Sequence, residues 1–202
     1  MRPKHKTYTI APGAATAVGL AQTKAGAGAL LINGLLAVGG VATFPIARHV
    51  SIAAVADEHL ITFTVVGTDR YGAEMTEALI GPAAGLTVST TKNFKTVAGV
   101  SVSAALTGNV TLGTGDSLET AWIPVELIGS IDAGYTVSSG GSMTKVLQTT
   151  MGDVFNMNEH DLPIDGALAT AIGLKTATAI RLKITEHVSG NITLDIINRP
   201  GC

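Results

Sequence analysis

Residues 60–66 read Leu-Ile-Thr-Phe-Thr-Val-Val, and residues 179–186 read Ala-Ile-Arg-Leu-Lys-Ile-Thr-Glu. In the first stretch Ile61, Phe63 and Val65 fall on one side of an extended chain, with Thr62 and Thr64 on the other. In the second, Ile180, Leu182 and Ile184 alternate with Arg181, Lys183 and Thr185. Successive side chains of an extended chain point to opposite faces, so this period of two is the pattern of a half-buried strand. Turn chemistry follows each stretch. Gly67-Thr68-Asp69-Arg70-Tyr71-Gly72 leads into a returning strand over Ala73–Ile80, with Glu74, Thr76 and Ala78 on one face and Met75, Glu77 and Leu79 on the other. Ser189-Gly190-Asn191 leads into Ile192, Leu194 and Ile196, which return on a single face.

The same reading extends outward. His49–Val55 places Val50, Ile52 and Ala54 together, and Gly81-Pro82 ends the strand before it, since proline cannot donate to a central ladder. Further strands are expected at Leu86–Thr91, Thr96–Ala104, Asn109–Leu112, Trp122–Ile128, Tyr135–Ser138 and Thr144–Thr150. Short strands at intervals of roughly 8–12 residues with turn signals between them indicate a sandwich or barrel. Near the start, Ala29–Ile32, Asn33-Gly34 and Leu35–Val38 read as a β-hairpin, because Asn-Gly between apolar runs is a strong turn signal. The expected fold is all-β, an antiparallel β-sandwich of jelly-roll or Ig-like type. Met1–Ala15 reads as an N-terminal arm and 16–202 as one sandwich domain, with a sub-boundary near Gly113-Thr114-Gly115-Asp116. Met151–Gly166 reads as a long polar loop, and Ala167–Lys175 as a short helix or irregular connection.

Composition bounds the function. Hydrophobic residues make up 46% but aromatic ones only 4%, so the apolar content is small and β-branched and suits a pleated surface. Charged residues are 14%, against about 25% in a typical domain. Such sparse charge fits either a chain that buries surface in an assembly or a compact threonine-rich β protein. The net charge of −2 offers no basic surplus for phosphates, so nucleic acid is not expected as a partner. The most apolar stretch, Ala25–Ala42, is interrupted by Gly26, Gly28, Asn33, Gly34, Gly39 and Gly40 and falls short of the ~20 apolar residues of a spanning helix. No membrane partner and no export signal are expected. The single cysteine, Cys202, excludes an internal disulfide and leaves a free thiol or an intermolecular pair.

No catalytic, cofactor-binding or metal-ligating residue is assigned. His5, His49, His59, His160 and His187 show no metal-ligand spacing, and with one cysteine a structural zinc site is not expected. Glu159-His160-Asp161 is the most ligand-like cluster, but consecutive residues rarely converge on one ion. Asp153, Asn156 and Asn158 do not match a calcium loop. Ser139-Gly140-Gly141-Ser142 is no nucleophile elbow, and Gly113-Thr114-Gly115 lacks the rest of a dinucleotide fingerprint. Glu74 and Glu77 lie three apart on a strand and so face opposite ways, which disqualifies them as a glycosidase pair. An enzyme is not expected, and no cofactor is.

Taken in order, several pieces form a larger pattern. They are Ala25-Gly26-Ala27-Gly28-Ala29-Leu30 with Asn33-Gly34, Gly39-Gly40-Val41-Ala42, Arg48-His49-Val50-Ser51-Ile52, and Thr62–Asp69 with Gly72. Thr76-Glu77, Gly81-Pro82, Thr90-Thr91-Lys92, Phe94–Val97 and Gly108-Asn109-Val110 continue it. From Ala21 to Gly113 the chain resembles a module of tailed-bacteriophage structural proteins. The resemblance implies a β-sandwich virion component of the head or decoration type. It also implies partners among copies of itself, such as a trimer, and among the major capsid protein or other virion proteins. Its implied location is the virion, assembled in the host cytoplasm. Met1–Ala15 would then reach onto a neighbouring subunit. A neck or tail component (adaptor, tube or sheath-associated) is the alternative within the particle. A carbohydrate-binding β-sandwich is the alternative of another class, for which one Trp, three Tyr and four Phe leave few stacking platforms.

Overall fold

The computed structural model describes residues 4–124, 130–137, 142–150, 160–163, 172–174 and 179–199. In chain order their strands are β1 (Lys4–Tyr8), β2 (Gly19–Gln22), β3 (Gly28–Ala29), β4 (Ala37–Val38), β5 (Val41–Ala54) and β6 (Thr62–Thr68). There follow β7 (Glu74–Ile80), β8 (Thr87–Ser89), β9 (Phe94–Val102), β10 (Val110–Glu119), β11 (Ile123–Pro124) and β12 (Ser130–Val137). The last are β13 (Ser142–Thr150), β14 (His160–Pro163), β15 (Ile172–Leu174), β16 (Ala179–Ser189) and β17 (Ile192–Arg199). Among the described residues there is no helix, and the all-β antiparallel sandwich expected from the alternation is the fold.

The chain divides into two compact units: Gly13–Leu118, and the segments Met1–Pro12 with Glu119–Cys202. The expected domain ran over 16–202 with a sub-boundary near 113–116; the division between the compact units falls after Leu118. Gly113 and Gly115 lie inside β10 and open no linker. The segment at Ala14 runs beside β10 here: Thr114 Oγ1 accepts the Ala14 N–H at 3.1 Å, and the Thr114 N–H donates to the Ala14 carbonyl at 3.0 Å. A Cβ on Gly113 would collide with that carbonyl. The glycine marks a close approach of two backbones.

In the Gly13–Leu118 unit the strand order is β10-β5-β9-β6-β7, with β2 on β10, β3 on β9, and β4 and β8 on β5. The core gathers Phe44, Ile52, Phe63, Phe94, Val100 and Leu112 with their neighbours. Ile61, Phe63 and Val65 are buried, as are Val50, Ile52 and Ala54. On β9, Val97 and Val100 are both buried although three apart, and the β6–β9 register shifts between Val66 and Gly67. A bulge of this kind adds a residue and returns the next side chain to the same face. β5 runs well beyond the expected 49–55 and shifts register between Thr43 and Arg48, around Pro45. Lys95 Nζ donates to the Phe44 and Pro45 carbonyls at 2.6 and 2.8 Å, satisfying oxygens that the irregular stretch turns away from the ladder.

Two expected turns move. The tight hairpin is β4–β5 through Gly39-Gly40, with φ of +60° and +80°, the positive pair that a two-residue type I′ turn requires. Asn33-Gly34 forms no hairpin. Gly34 is packed so closely on Thr16 and Ala17 that a Cβ would strike their backbone, while its N–H donates to the Val18 carbonyl at 2.9 Å. Likewise Gly67 belongs to β6, where a Cβ would meet the Thr96 carbonyl. The β6–β7 turn begins at Asp69, whose Oδ1 accepts the N–H groups of Tyr71 and Ala73 at 2.7 and 2.9 Å.

In the other unit, β1-β17-β12-β15 form one sheet, and β13 pairs with β14 and β16. β11 pairs with β16. Lys4–Tyr8, expected within an arm reaching a neighbour, instead pairs with Ile192–Ile196 of the same chain, and Tyr8 and Ile10 are buried. The pairing satisfies the backbone groups along β17. The β16–β17 turn falls at Gly190, with φ of +98°. Of the expected polar loop, His160–Pro163 is a strand against Val146–Thr149; residues 151–159 and 164–166 lie outside the described residues. Of the expected helix or connection over 167–175, Ile172–Leu174 is strand β15 and the remainder lies outside.

Candidate interaction surface

Residues 16–36 of the Gly13–Leu118 unit build a layer from few regular strand bonds. β2 pairs with β10, and the chain from Leu31 to Leu36 returns antiparallel along the other side of residues 16–22. Side chains fill the place of missing ladder bonds. Gln22 Oε1 accepts the Leu31 N–H at 2.8 Å and its Nε2 donates to the Leu31 carbonyl at 2.9 Å, imitating a paired residue. Asn33 Oδ1 accepts the Leu20 N–H at 2.9 Å. Backbone bonds from Gly34, Leu35 and Leu36 to Val18, Thr16 and Ala17 complete the register.

That register turns Leu30, Ile32 and Leu36 toward the core, and Leu31, Asn33 and Leu35 outward. Leu31 is 65% exposed, Leu35 86%, Val38 83% and the adjacent Leu20 49%. Leu30-Leu31 and Leu35-Leu36 are doublets, so an extended chain must send one leucine of each to water. Between Gly13 and Ala47 the only charged residue is Lys24. Here lay a sequence signal for a surface: apolar doublets in a stretch without charge.

A second aliphatic group caps one end of the same unit. Val55, Leu60 and Leu86, on neighbouring loops, and Ile80, at the end of β7, are exposed. These loops are joined by bonds from Ala54 to Leu86, Glu58 to Pro82, and Gly81 to Ile61. Glu58 is buried beneath them, its carboxylate accepting the N–H of Thr107 at 2.8 Å and of Gly108 at 2.8 Å. Beside it the exposed Asp57 accepts both the backbone N–H and the ring nitrogen of His59, the latter at 2.7 Å. Hydrogen bonding to His59 holds the Asp57 carboxyl below its ordinary range.

The residues weighed for chemistry are dispersed. Glu77 accepts the Thr91 and Lys92 N–H groups at 2.7 and 2.9 Å and anchors that turn, while Glu74 is exposed. His187 is buried with a ring nitrogen 2.9 Å from the Gly190 carbonyl, closing the β16–β17 turn. His160 and Asp161 are successive residues of β14; Glu159, Asp153, Asn156, Asn158, Ser139–Gly141 and Cys202 lie outside the described residues. Among the described residues no three His, Cys, Asp or Glu converge as a metal site. Arg48 is buried on β5 and its Nε donates to the Gly115 carbonyl at 3.0 Å; burial lowers its pKa and Asp116 partly opposes that. Trp122 is buried beneath the Arg181 guanidinium, 4.6 Å from its ring centroid, and Phe44, Phe63 and Phe94 are in the core. Tyr71 is an exposed aromatic ring, with Arg70 at 6.0 Å from its centroid.

No protein-family model matches the chain, and no curated protein or solved structure does.

Proposed function

We propose that the chain is a non-enzymatic structural component of a tailed-phage virion, a decoration or auxiliary head protein that acts through contacts with its own copies and with other particle proteins. Its main support is the pair of aliphatic surfaces on the Gly13–Leu118 unit. Contiguous exposed aliphatic patches commonly mark interaction sites. The stretch that resembles phage structural modules, 21–113, falls inside that same unit. Low overall charge fits the same role, since cover from neighbouring subunits stabilises a folded state by mass action.

The test is quantitative mass spectrometry of purified particles from a phage encoding the protein. A copy number on the scale of the capsid lattice is expected. A number matching one ring would assign the chain to the neck or tail, and absence from the particle would overturn the proposal. Glycan binding by the isolated protein would instead favour a carbohydrate-binding sandwich.

A further inference from the structure

We infer that Asn33-Gly34 is a latent self-modification site, whose deamidation is held off by the folded layer of residues 16–36 and begins when that layer opens. The inference goes beyond the proposed function and stands or falls separately from it. Asparagine before glycine is the pair most prone to cyclise, because glycine puts no side chain in the way of ring closure. In that reaction the Gly34 nitrogen attacks Asn33 Cγ. A new N–Cγ bond closes a succinimide ring, the Cγ–Nδ2 bond breaks, and the Gly34 proton leaves with the amide nitrogen as ammonia. Water then opens the ring at one carbonyl or the other. The product at position 33 is an aspartyl residue or an isoaspartyl one, and the isoaspartyl linkage lengthens the main chain by a methylene.

The fold both requires this pair and masks it. Glycine is needed at 34 because a Cβ there would strike the backbone of Thr16 and Ala17. Asn33 is used as well: it is exposed, and its Oδ1 accepts the Leu20 N–H at 2.9 Å. The attacking nitrogen is engaged, since the Gly34 N–H donates to the Val18 carbonyl at 2.9 Å. To cyclise, Gly34 must give up that bond and turn its peptide plane toward Asn33 while Thr16 and Ala17 crowd it. The Asn33 amide must also release Leu20 to turn back on Gly34. Yet part of what closes the layer lies at the surface. The bonds of Gln22 to Leu31 and of Asn33 to Leu20 are exposed, and the Leu35 N–H reaches the Thr16 carbonyl only at 3.4 Å. Segments held by solvent-exposed bonds open locally at less cost than a core strand. An isoaspartyl product would put the bonds to Leu20 and Val18 out of step and keep the opened layer from closing. An aspartyl product keeps an acceptor for the Leu20 N–H.

The experiment incubates the full chain in mildly alkaline buffer, native and in urea, and follows the tryptic peptide from Ala25 to Arg48 by mass spectrometry. Asn33 is the only asparagine or glutamine in that peptide, so a gain of acid reports on it alone. Conversion is expected to be at least about tenfold slower in the native chain than in urea, the native rate being scaled by the fraction of open layer. In urea Asn33 should react ahead of Asn109 and Asn191, which precede valine and isoleucine. Gln22→Ala removes both bonds to Leu31 and touches neither reacting residue. It should raise the native rate severalfold and leave the rate in urea unchanged. Should that variant fail to fold, urea below the wild-type midpoint gives the same comparison, with the Asn33 rate climbing before the strand signal in circular dichroism falls. After urea is removed, isoaspartyl chains should show raised hydrogen exchange over residues 16–36. Asn33→Asp, with the same charge and no added methylene, should not. Equal rates in the native and unfolded chain overturn the inference. So does a native rate indifferent both to Gln22→Ala and to sub-denaturing urea, or an isoaspartyl chain that refolds with the layer closed.

Discussion

The interiors of the two units differ in how they hold buried polar groups: one carries a side-chain network that the other's described residues do not show. In the Gly13–Leu118 unit they reach for backbone: Glu58 for the N–H groups of Thr107 and Gly108, Thr90 for that of Val50, and Arg48 for the Gly115 carbonyl. In the other unit Thr120 and His187 also bond backbone, at Leu182 and Gly190, but a further set reaches for one another. Arg181 Nε donates to Gln148 Oε1 at 2.6 Å, its Nη1 lies 2.9 Å from Glu119 Oε2, and its plane covers Trp122. All four residues are buried. A side chain bonded to backbone stands in for a missing strand and pins a loop, at a cost confined to that loop. A side-chain network ties together residues distant in sequence, and removing one member strands the rest.

The largest expected effect follows from this. Arg181→Ala leaves Glu119 and Gln148 buried without their donor and should destabilise by about 3–5 kcal/mol, the range for breaking one side of a buried ion pair. Replacing Arg181 by Met together with Glu119 by Leu removes both charges and should recover most of the loss. Urea denaturation measures both, and hydrogen exchange should rise in β13 and β16. If the double variant is as unstable as the single one, the network is not what distinguishes this unit. Next in size is Glu58→Ala, which deprives the Thr107 and Gly108 N–H groups of their acceptor and should cost about 1–3 kcal/mol. The increase in exchange should stay at the 105–109 loop and the chain around Glu58. Exchange spreading evenly through β6 and β9 would contradict the loop-pinning role.

Glycine is where the sequence was easiest to misread, and it gives the next prediction. Strand alternation at Ile61–Val65 and Ile180–Ile184 was legible because a period of two depends on local geometry alone. Asn33-Gly34, Gly67 and Gly113 carried turn or linker signals, yet each is glycine because another backbone passes too close for a Cβ. Contacts of that kind involve residues far apart in sequence. The same limit hid the outward face at Leu31 and Leu35: its register depends on Gln22 and Asn33 acting as strand partners, which no periodicity records. Gly40→Ala, in the turn with positive φ and open space around it, should cost about 1 kcal/mol from backbone strain. Gly99→Ala, also in open space but without positive φ, should cost less or stabilise. Thermal unfolding of the pair separates the two reasons for glycine. Equal losses would show that φ is not what the β4–β5 turn demands.

The smallest effect separates two adjacent carboxylates, Asp57 in water and Glu58 in the interior. Asp57 has its pKa lowered in the folded chain by hydrogen bonds to His59. The folded state therefore holds the ionised form more firmly than the unfolded one does. The resulting stabilisation is present above the unfolded-state pKa and is lost as pH falls through the lower, folded value. Because the pair is exposed, solvent screens it and its contribution is slight. Asp57→Asn should lower the urea midpoint a little at neutral pH, and the gap from wild type should close as acid protonates Asp57. A gap that persists in acid would mean that Asp57 holds the loop through a bond that does not depend on its charge.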